Sequence, residues 1–221
     1  GKMDTEATIV VENLDKRFKN QSVLKNVNVK FSKGNIYGII GRNGSGKTIL
    51  LKCICGFLRP TAGTVSVNNK IVGQDIDFPQ KLGFIIETPG FLMNYSGYKN
   101  LKYLASIQKN IDDEEIKESM SLVGLDSADK KHVGKYSLGM RQRLGIAQAI
   151  MEKPDILILD EPMNGLDKNG VQEMRELFLQ MKSEGKLILL TSHNREDIEV
   201  LCDEVYEMED GILTKKQGAV G

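Results

Sequence analysis

The sequence predicts an α/β fold: a parallel sheet covered by helices on both faces, preceded by antiparallel strands and interrupted by a helical insert. Three observations carry this. A short apolar strand, Ile36 to Ile40, runs straight into a glycine-rich turn, Gly41-Arg42-Asn43-Gly44-Ser45-Gly46-Lys47-Thr48. A second apolar strand, Ile156 to Leu159, ends in two carboxylates, Asp160-Glu161. The last third of the chain then alternates strand and helix patterns, which implies βα units and a sheet buried on both faces.

Taken in order, residues 7–14 read as a strand, and Val27, Val29 and Phe31 alternate with polar residues as a strand with one buried face does. Lys33-Gly34-Asn35 is a turn, Ile36 to Ile40 the strand before the glycine-rich loop, and Thr64 to Val67 a further strand closed by Asn68-Asn69. Leu101 and Leu104 mark a helix. Asp112 can cap another, with Ile116, Met120 and Val123 on one face. A third runs from about Gly139 to Glu152 and stops before Pro154. Residues 90–153 therefore read as a helical subdomain within a single domain spanning 1–221. Beyond strand 156–160, Val171, Met174, Leu177, Phe178 and Met181 share a helix face. Strand Leu187 to Thr191, a helix from Glu196 to Leu201, and strand Val205 to Met208 with a turn at Asp210-Gly211 complete the chain.

Composition narrows the function classes. The 221 residues suffice for a sizeable core, with 40% hydrophobic and 27% charged residues. Thirty basic residues balance thirty acidic ones, so there is no electrostatic case for a nucleic-acid partner. No apolar run reaches the roughly 18–20 residues that span a bilayer, and the N-terminus carries no signal-peptide core. Any membrane contact is expected to go through another protein. Cys53, Cys55 and Cys202 are odd in number and lack zinc spacing, so they read as reduced packing residues.

Gly41 to Thr48 fits GxxxxGK[ST], the P-loop of a P-loop NTPase core. Its glycines, with Asn43 and Ser45, let successive backbone N–H groups approach phosphates, and the following helix adds its positive end. Lys47 is expected at the β- and γ-phosphates and the Thr48 hydroxyl at Mg²⁺. In such NTPases Asp160 belongs to the magnesium shell. Glu161 is then free to orient or deprotonate the attacking water. Alternation along the strand sends the two carboxylates to opposite faces.

With these motifs in this order, the chain resembles the nucleotide-binding subunit of ATP-binding cassette (ABC) transporters over nearly its whole length. The resemblance implies an ABC ATPase with an N-terminal antiparallel β subdomain and an inserted helical subdomain, in which two chains sandwich ATP head to tail. It implies that Phe18 stacks on adenine, that Tyr136-Ser137-Leu138-Gly139-Met140 is the signature usually written LSGGQ, and that Asn164-Gly165-Leu166-Asp167 is the D-loop. His193 takes the place of the switch histidine. Read by themselves, Ser137 and Gly139 are a helix cap, Asp167 a cap, His193 a packing or surface residue, and Phe18 core.

Three departures bear on subtype. The signature has Leu138 and Met140 for Gly and Gln, the D-loop has Asn164 for Ser, and Glu87 stands where the family usually has glutamine. A glutamate binds a hard cation more strongly than an amide and adds negative charge beside the γ-phosphate; otherwise Glu87 simply faces solvent. These features resemble the ATPases of bacitracin-type and lantibiotic-immunity exporters. By the same resemblance, Thr88 to Tyr98 lies where a permease helix docks. There Phe91, Leu92, Met93 and Tyr95 either line an apolar groove or belong to subdomain core.

The expected function is an ATP-hydrolysing motor that drives a separate integral-membrane permease. Its cofactors are ATP and Mg²⁺. Its partners are a second ATPase subunit, most simply a homodimer, and the permease. Its place is cytoplasmic, peripheral on the inner face of the cell membrane. The alternatives are a soluble ABC ATPase of DNA repair or translation, an exporter of another substrate, or a small-molecule kinase. Repair relatives carry coiled-coil insertions and translation relatives carry two cassettes. A kinase leaves the signature and His193 unexplained.

Overall fold

The strands that precede the glycine-rich loop and the paired carboxylates become members of one sheet. A computed structural model describes residues 8–87, 90–108 and 111–216. Its first part contains β1 (Ile9–Phe18), β2 (Gln21–Phe31), β3 (Ile36–Ile40), α1 (Lys47–Cys55), β4 (Ala62–Val67), β5 (Lys70–Ile71) and β6 (Leu82–Ile85). Three helices follow, α2 (Gly97–Gln108), α3 (Asp113–Leu122) and α4 (Leu138–Ile150). The remainder is β7 (Ile156–Asp160), α5 (Lys168–Ser183), β8 (Leu187–Ser192), α6 (Arg195–Leu201), β9 (Glu204–Glu209) and β10 (Ile212–Lys215).

Two sheets result. One is four-stranded and antiparallel, in the order β2-β1-β4-β5. The other is six-stranded, in the order β10-β9-β3-β8-β7-β6, and parallel except for the edge strand β10. Alternation along the parallel strands divides the core in two. Ile39, Ile156, Ile158, Leu187 and Leu189 face the antiparallel sheet and α1, joining Leu50, Leu51 and Ile54. Leu157, Leu159, Ile188 and Leu190 face the other side and pack with residues of α3, α4 and α5. Burial on both faces is why these strands read as unbroken apolar runs, and each fully buried Leu or Ile contributes about 1.5–3 kcal/mol.

The register positions the site. Ile85 pairs with Leu159, Leu159 with Leu190, Asp160 with Thr191, and Ile40 with Ser192. The carboxyl ends of β3, β6, β7 and β8 therefore lie along one edge of the sheet, where parallel α/β sheets bind ligands.

Helix ends follow local chemistry. Asp112 and Glu115 form a capping box on α3, Ser137 caps α4, and Asp167 caps α5. The helix α4 is drawn against β6 at Gly83, where an added Cβ would collide with the Ala149 carbonyl.

Several expectations need correction. The first strand begins at Ile9 and runs on to Phe18, whose partner is Gln21 across the hairpin. Phe18 is consequently not core: it is 42% exposed at the strand end, with Lys16 Nζ 5.0 Å above its ring. Phe91 is buried in the core that contains Leu101, Ile116 and Val133, so it lines no open groove. Thr88 and Pro89, at the start of the same segment, lie outside the described residues.

Candidate active site

The P-loop is built by backbone geometry that only glycine adopts without strain. Gly44 has φ +82° and nothing within 4 Å of the position a Cβ would take, which leaves the backbone open to a ligand. Gly46, with φ +117°, is the N-cap of α1, so the helix begins with unshared N–H groups directed out of the loop. Beside the loop lies a cleft of about 770 Å³, lined by residues 40–45, His193, Arg195, the end of β9 from Glu207 to Glu209, and Asp210. An orphaned helix start and an unfilled glycine cradle suit a polyphosphate.

Lys47, the first residue of α1, is 4% exposed. Its ammonium donates to the Gly41 carbonyl and to the Ser192 carbonyl at 3.4 Å, and lies 3.6 Å from Glu161 Oε1. Thr48 Oγ1 donates to Asp160 Oδ2 at 3.1 Å. The other oxygen of Asp160 accepts from Thr191 Oγ1 at 2.6 Å, and the Thr191 hydroxyl also accepts from the Glu161 N–H at 3.0 Å. His193 Nδ1 is 3.1 Å from Glu161 Oε1, the oxygen nearest Lys47.

The two carboxylates are separated differently from what strand alternation predicts. The strand β7 ends at Asp160, and Glu161 takes φ 53°, in the left-handed region. That turn, rather than the pleat, gives the neighbouring side chains separate partners: Thr48 and Thr191 for Asp160, Lys47 and His193 for Glu161. The side chain of Gln142 on α4 holds the turn by donating to the Glu161 and Pro162 carbonyls, at 3.1 and 2.9 Å.

Other expected residues stand apart from this cluster. Ser137 Oγ accepts from the Met140 N–H at 3.1 Å, and the Met140 side chain packs against the core. Leu138 is 62% exposed, and its side chain lies against the site where a Cβ on Gly165 would be. The stretch therefore forms the cap of α4, leaving the Leu138 and Gly139 N–H groups at an open helix start. Among the described residues, none from 137 to 140 lines the cleft beside the P-loop, and neither does Phe18. Glu87 is not drawn to the Thr48–Asp160 pair. Its side chain is 64% exposed and its Oε1 accepts from Lys52 Nζ at 2.7 Å.

Thr191, Gln142 and the Ser192 carbonyl were given no role of their own from sequence. Thr191 and Ser192 are the polar end of an otherwise apolar strand, buried at 0% and 8% exposure. A polar pair at a buried strand end needs partners, and this was the signal available.

Comparison with known proteins places the chain in a family. Residues 24–164 match the family model described as ABC transporter. An uncharacterised ABC transporter ATP-binding protein of Bacillus subtilis, YybJ, is 46% identical over 96% of this chain and 97% of its own. The bacitracin transport ATP-binding protein BcrA of Enterococcus faecalis is 40% identical over 97% of this chain and 70% of its own. The lantibiotic transport ATP-binding protein SrtF of Streptococcus pyogenes is 37% identical over 94% of this chain and 90% of its own. Among solved structures, an ATP-binding subunit of an ABC transporter superposes with a TM-score of 0.82 at 25% identity, covering 94% of this chain and 90% of the other. A dimeric ATP-binding cassette bound to ADP and phosphate shares the fold, with a TM-score of 0.86 at 21% identity over 96% of this chain and 99% of the other. The chain belongs to the ABC transporter family, as one of its ATP-hydrolysing cassettes.

Proposed function

We propose that two copies of this chain close around two ATP molecules and drive a separate membrane permease that exports an antimicrobial peptide. The convergence of Lys47, Thr48, Asp160, Glu161 and His193 at the end of one parallel sheet carries the catalytic part of this reading.

Within it, backbone N–H groups of Gly41, Asn43, Gly44, Ser45 and Gly46 hold the phosphates, and Lys47 exchanges its carbonyl partners for the β- and γ-oxygens. Thr48 and Asp160 offer hard oxygen donors 3.1 Å apart, which suit Mg²⁺. When bound there, Mg²⁺ neutralises charge on the phosphates. The Glu161 carboxylate accepts a proton from the water that attacks the γ-phosphorus, and His193 keeps that carboxylate oriented. Phe18, exposed at the end of β1 with Lys16 Nζ over its ring, stacks on adenine in this reading.

The open start of α4 supports a second copy. Ser137, Gly139 and Met140 do not line the cleft beside their own chain's P-loop, and a partner's γ-phosphate fits the free N–H groups at the start of α4. Residues 90–153 act as the helical subdomain that carries this surface. The exposed Leu92, Met93 and Tyr95 are the face offered to the permease, which holds the motor on the inner face of the membrane. No described helix is long and apolar enough to cross a membrane.

The cargo reading rests on relatives named for bacitracin and lantibiotic transport at 37–40% identity. It is tested by deleting the gene and measuring susceptibility to bacitracin and to lantibiotics. Increased susceptibility that the intact chain restores and Lys47→Ala does not is the expected result. Unchanged susceptibility to both classes would remove the peptide assignment.

A further inference from the structure

One face of α1 holds two carboxylates. Thr48 and Lys52 are four residues apart, so they lie one turn apart on the same side of the helix. Thr48 Oγ1 bonds Asp160 Oδ2 at 3.1 Å, at the end of β7. Lys52 Nζ bonds Glu87 Oε1 at 2.7 Å, just beyond the end of β6. The two strands are parallel neighbours, with Ile85 opposite Leu159. A single helix thus secures acidic groups from adjacent strand ends, one through a hydroxyl and one through a full positive charge.

We propose that Lys52 is a positioning residue for Glu87: it holds the carboxylate on α1, away from the Thr48–Asp160 pair, and must release it before Glu87 can reach a metal ion there. The inference rests on the reading of Glu87 as a residue of the magnesium site.

The chemistry fits a latch of modest strength. Glu87 is 64% exposed and Lys52 26% exposed in their side chains. A solvated ion pair of this kind changes an equilibrium by about two- to fivefold, so it biases Glu87 without locking it. Glu87 also has φ 64°, in the left-handed region, which turns the chain sharply at the end of the sheet. Beyond that turn lies the exposed Leu92-Met93 pair, tied to the helical region by a bond from the Gly134 N–H to the Met93 carbonyl at 2.9 Å. The position of the Glu87 carboxylate is therefore linked through a short stretch of chain to the proposed permease-facing loop. A glutamine at this position would lack the charge that gives Lys52 its hold.

The test is a Mg²⁺ titration of binding of a fluorescent ATP analogue, done in a Glu161→Gln background so that binding is read without turnover. Lys52→Met should free Glu87 and lower the Mg²⁺ midpoint by about two- to fivefold. Lys52→Arg should restore the parental midpoint, and Lys52→Met added to Glu87→Gln should cause no further shift. The proposal is overturned if Lys52→Met leaves the midpoint where it was, or shifts it equally when residue 87 is glutamine. If Glu87→Gln alone raises the midpoint while Lys52→Met does nothing, the latch falls and the metal reading of Glu87 stands. If Glu87→Gln itself changes nothing, that reading falls and the latch with it. Thermal melts of each variant separate these outcomes from loss of fold.

Discussion

His193 Nδ1 and Glu161 Oε1 lie 3.1 Å apart, and the same carboxylate oxygen lies 3.6 Å from Lys47 Nζ. The carboxylate is thereby steered from two sides, by a buried ammonium and by a ring that is 58% exposed in its side chain. A carboxylate held this way, the base in the proposed mechanism, cannot rotate freely toward solvent. His193→Ala should therefore lower kcat by about 10²-fold and leave the affinity for ATP near the parental value. Steady-state ATPase assays beside equilibrium nucleotide binding check this. A large loss of affinity with kcat unchanged would place His193 in nucleotide binding instead.

Lys47 is the most buried cation of the site, and its partners are carbonyls of the P-loop and of β8 together with Glu161. Lys47→Ala removes the charge proposed to face the phosphates and leaves Glu161 without its buried partner. ATP binding should fall by at least about tenfold, since a hydrogen bond to a charged group is worth about 1.5–3 kcal/mol. Calorimetric titration with ATP, on protein whose circular dichroism matches the parent, measures the loss.

Asn100 on α2 staples the loop that presents Leu92 and Tyr95. It is 3% exposed. Its Oδ1 accepts from the Leu92 N–H at 2.7 Å, and its Nδ2 donates to the Leu92, Tyr95 and Ser96 carbonyls. Asn100→Ala should cost about 1–3 kcal/mol in urea unfolding, because it strands buried polar groups. ATP binding should change little, and coupling to the permease should suffer more.

The three cysteines are free and buried. Burial pushes the Cys53 thiol up to about 11 and the Cys55 and Cys202 thiols up to about 12. The folded protein therefore keeps them protonated at pH 8, and a thiol reagent should react with none until denaturant is added. The same shifts favour the folded state fully below pH 9, the ordinary thiol value. That contribution is lost as pH rises from 9 through about 11–12. Urea midpoints should fall across this alkaline interval.

The parts that sequence disclosed most clearly were those in which local pattern and chemistry coincide. Ile36 to Ile40 and Ile156 to Leu159 are buried on both faces, so their apolar runs pointed to central parallel strands. Asp112 announced its helix because a cap acts on N–H groups only three residues away. What stayed hidden depends on contacts distant in the chain. Nothing local tells that Lys52 meets Glu87, or that Gln142 reaches the Glu161 carbonyl. Phe91 and Leu92 are adjacent apolar residues, yet one is buried and the other 45% exposed. Which of them faces the core is decided by Asn100 and the backbone it grips. The left-handed turn at Glu161 was missed because alternation was extended one residue past the strand.

The central claim is that this chain contains half of each of two ATP sites, with Ser137 to Met140 completing the site of a second copy. The most direct measurement is the molar mass of Glu161→Gln in solution, by light scattering, with and without Mg²⁺ and ATP. A species of twice the chain's mass that forms only with ATP, and is lost when Ser137→Arg is added, is the result expected. A variant that binds ATP yet stays at the mass of one chain would contradict it.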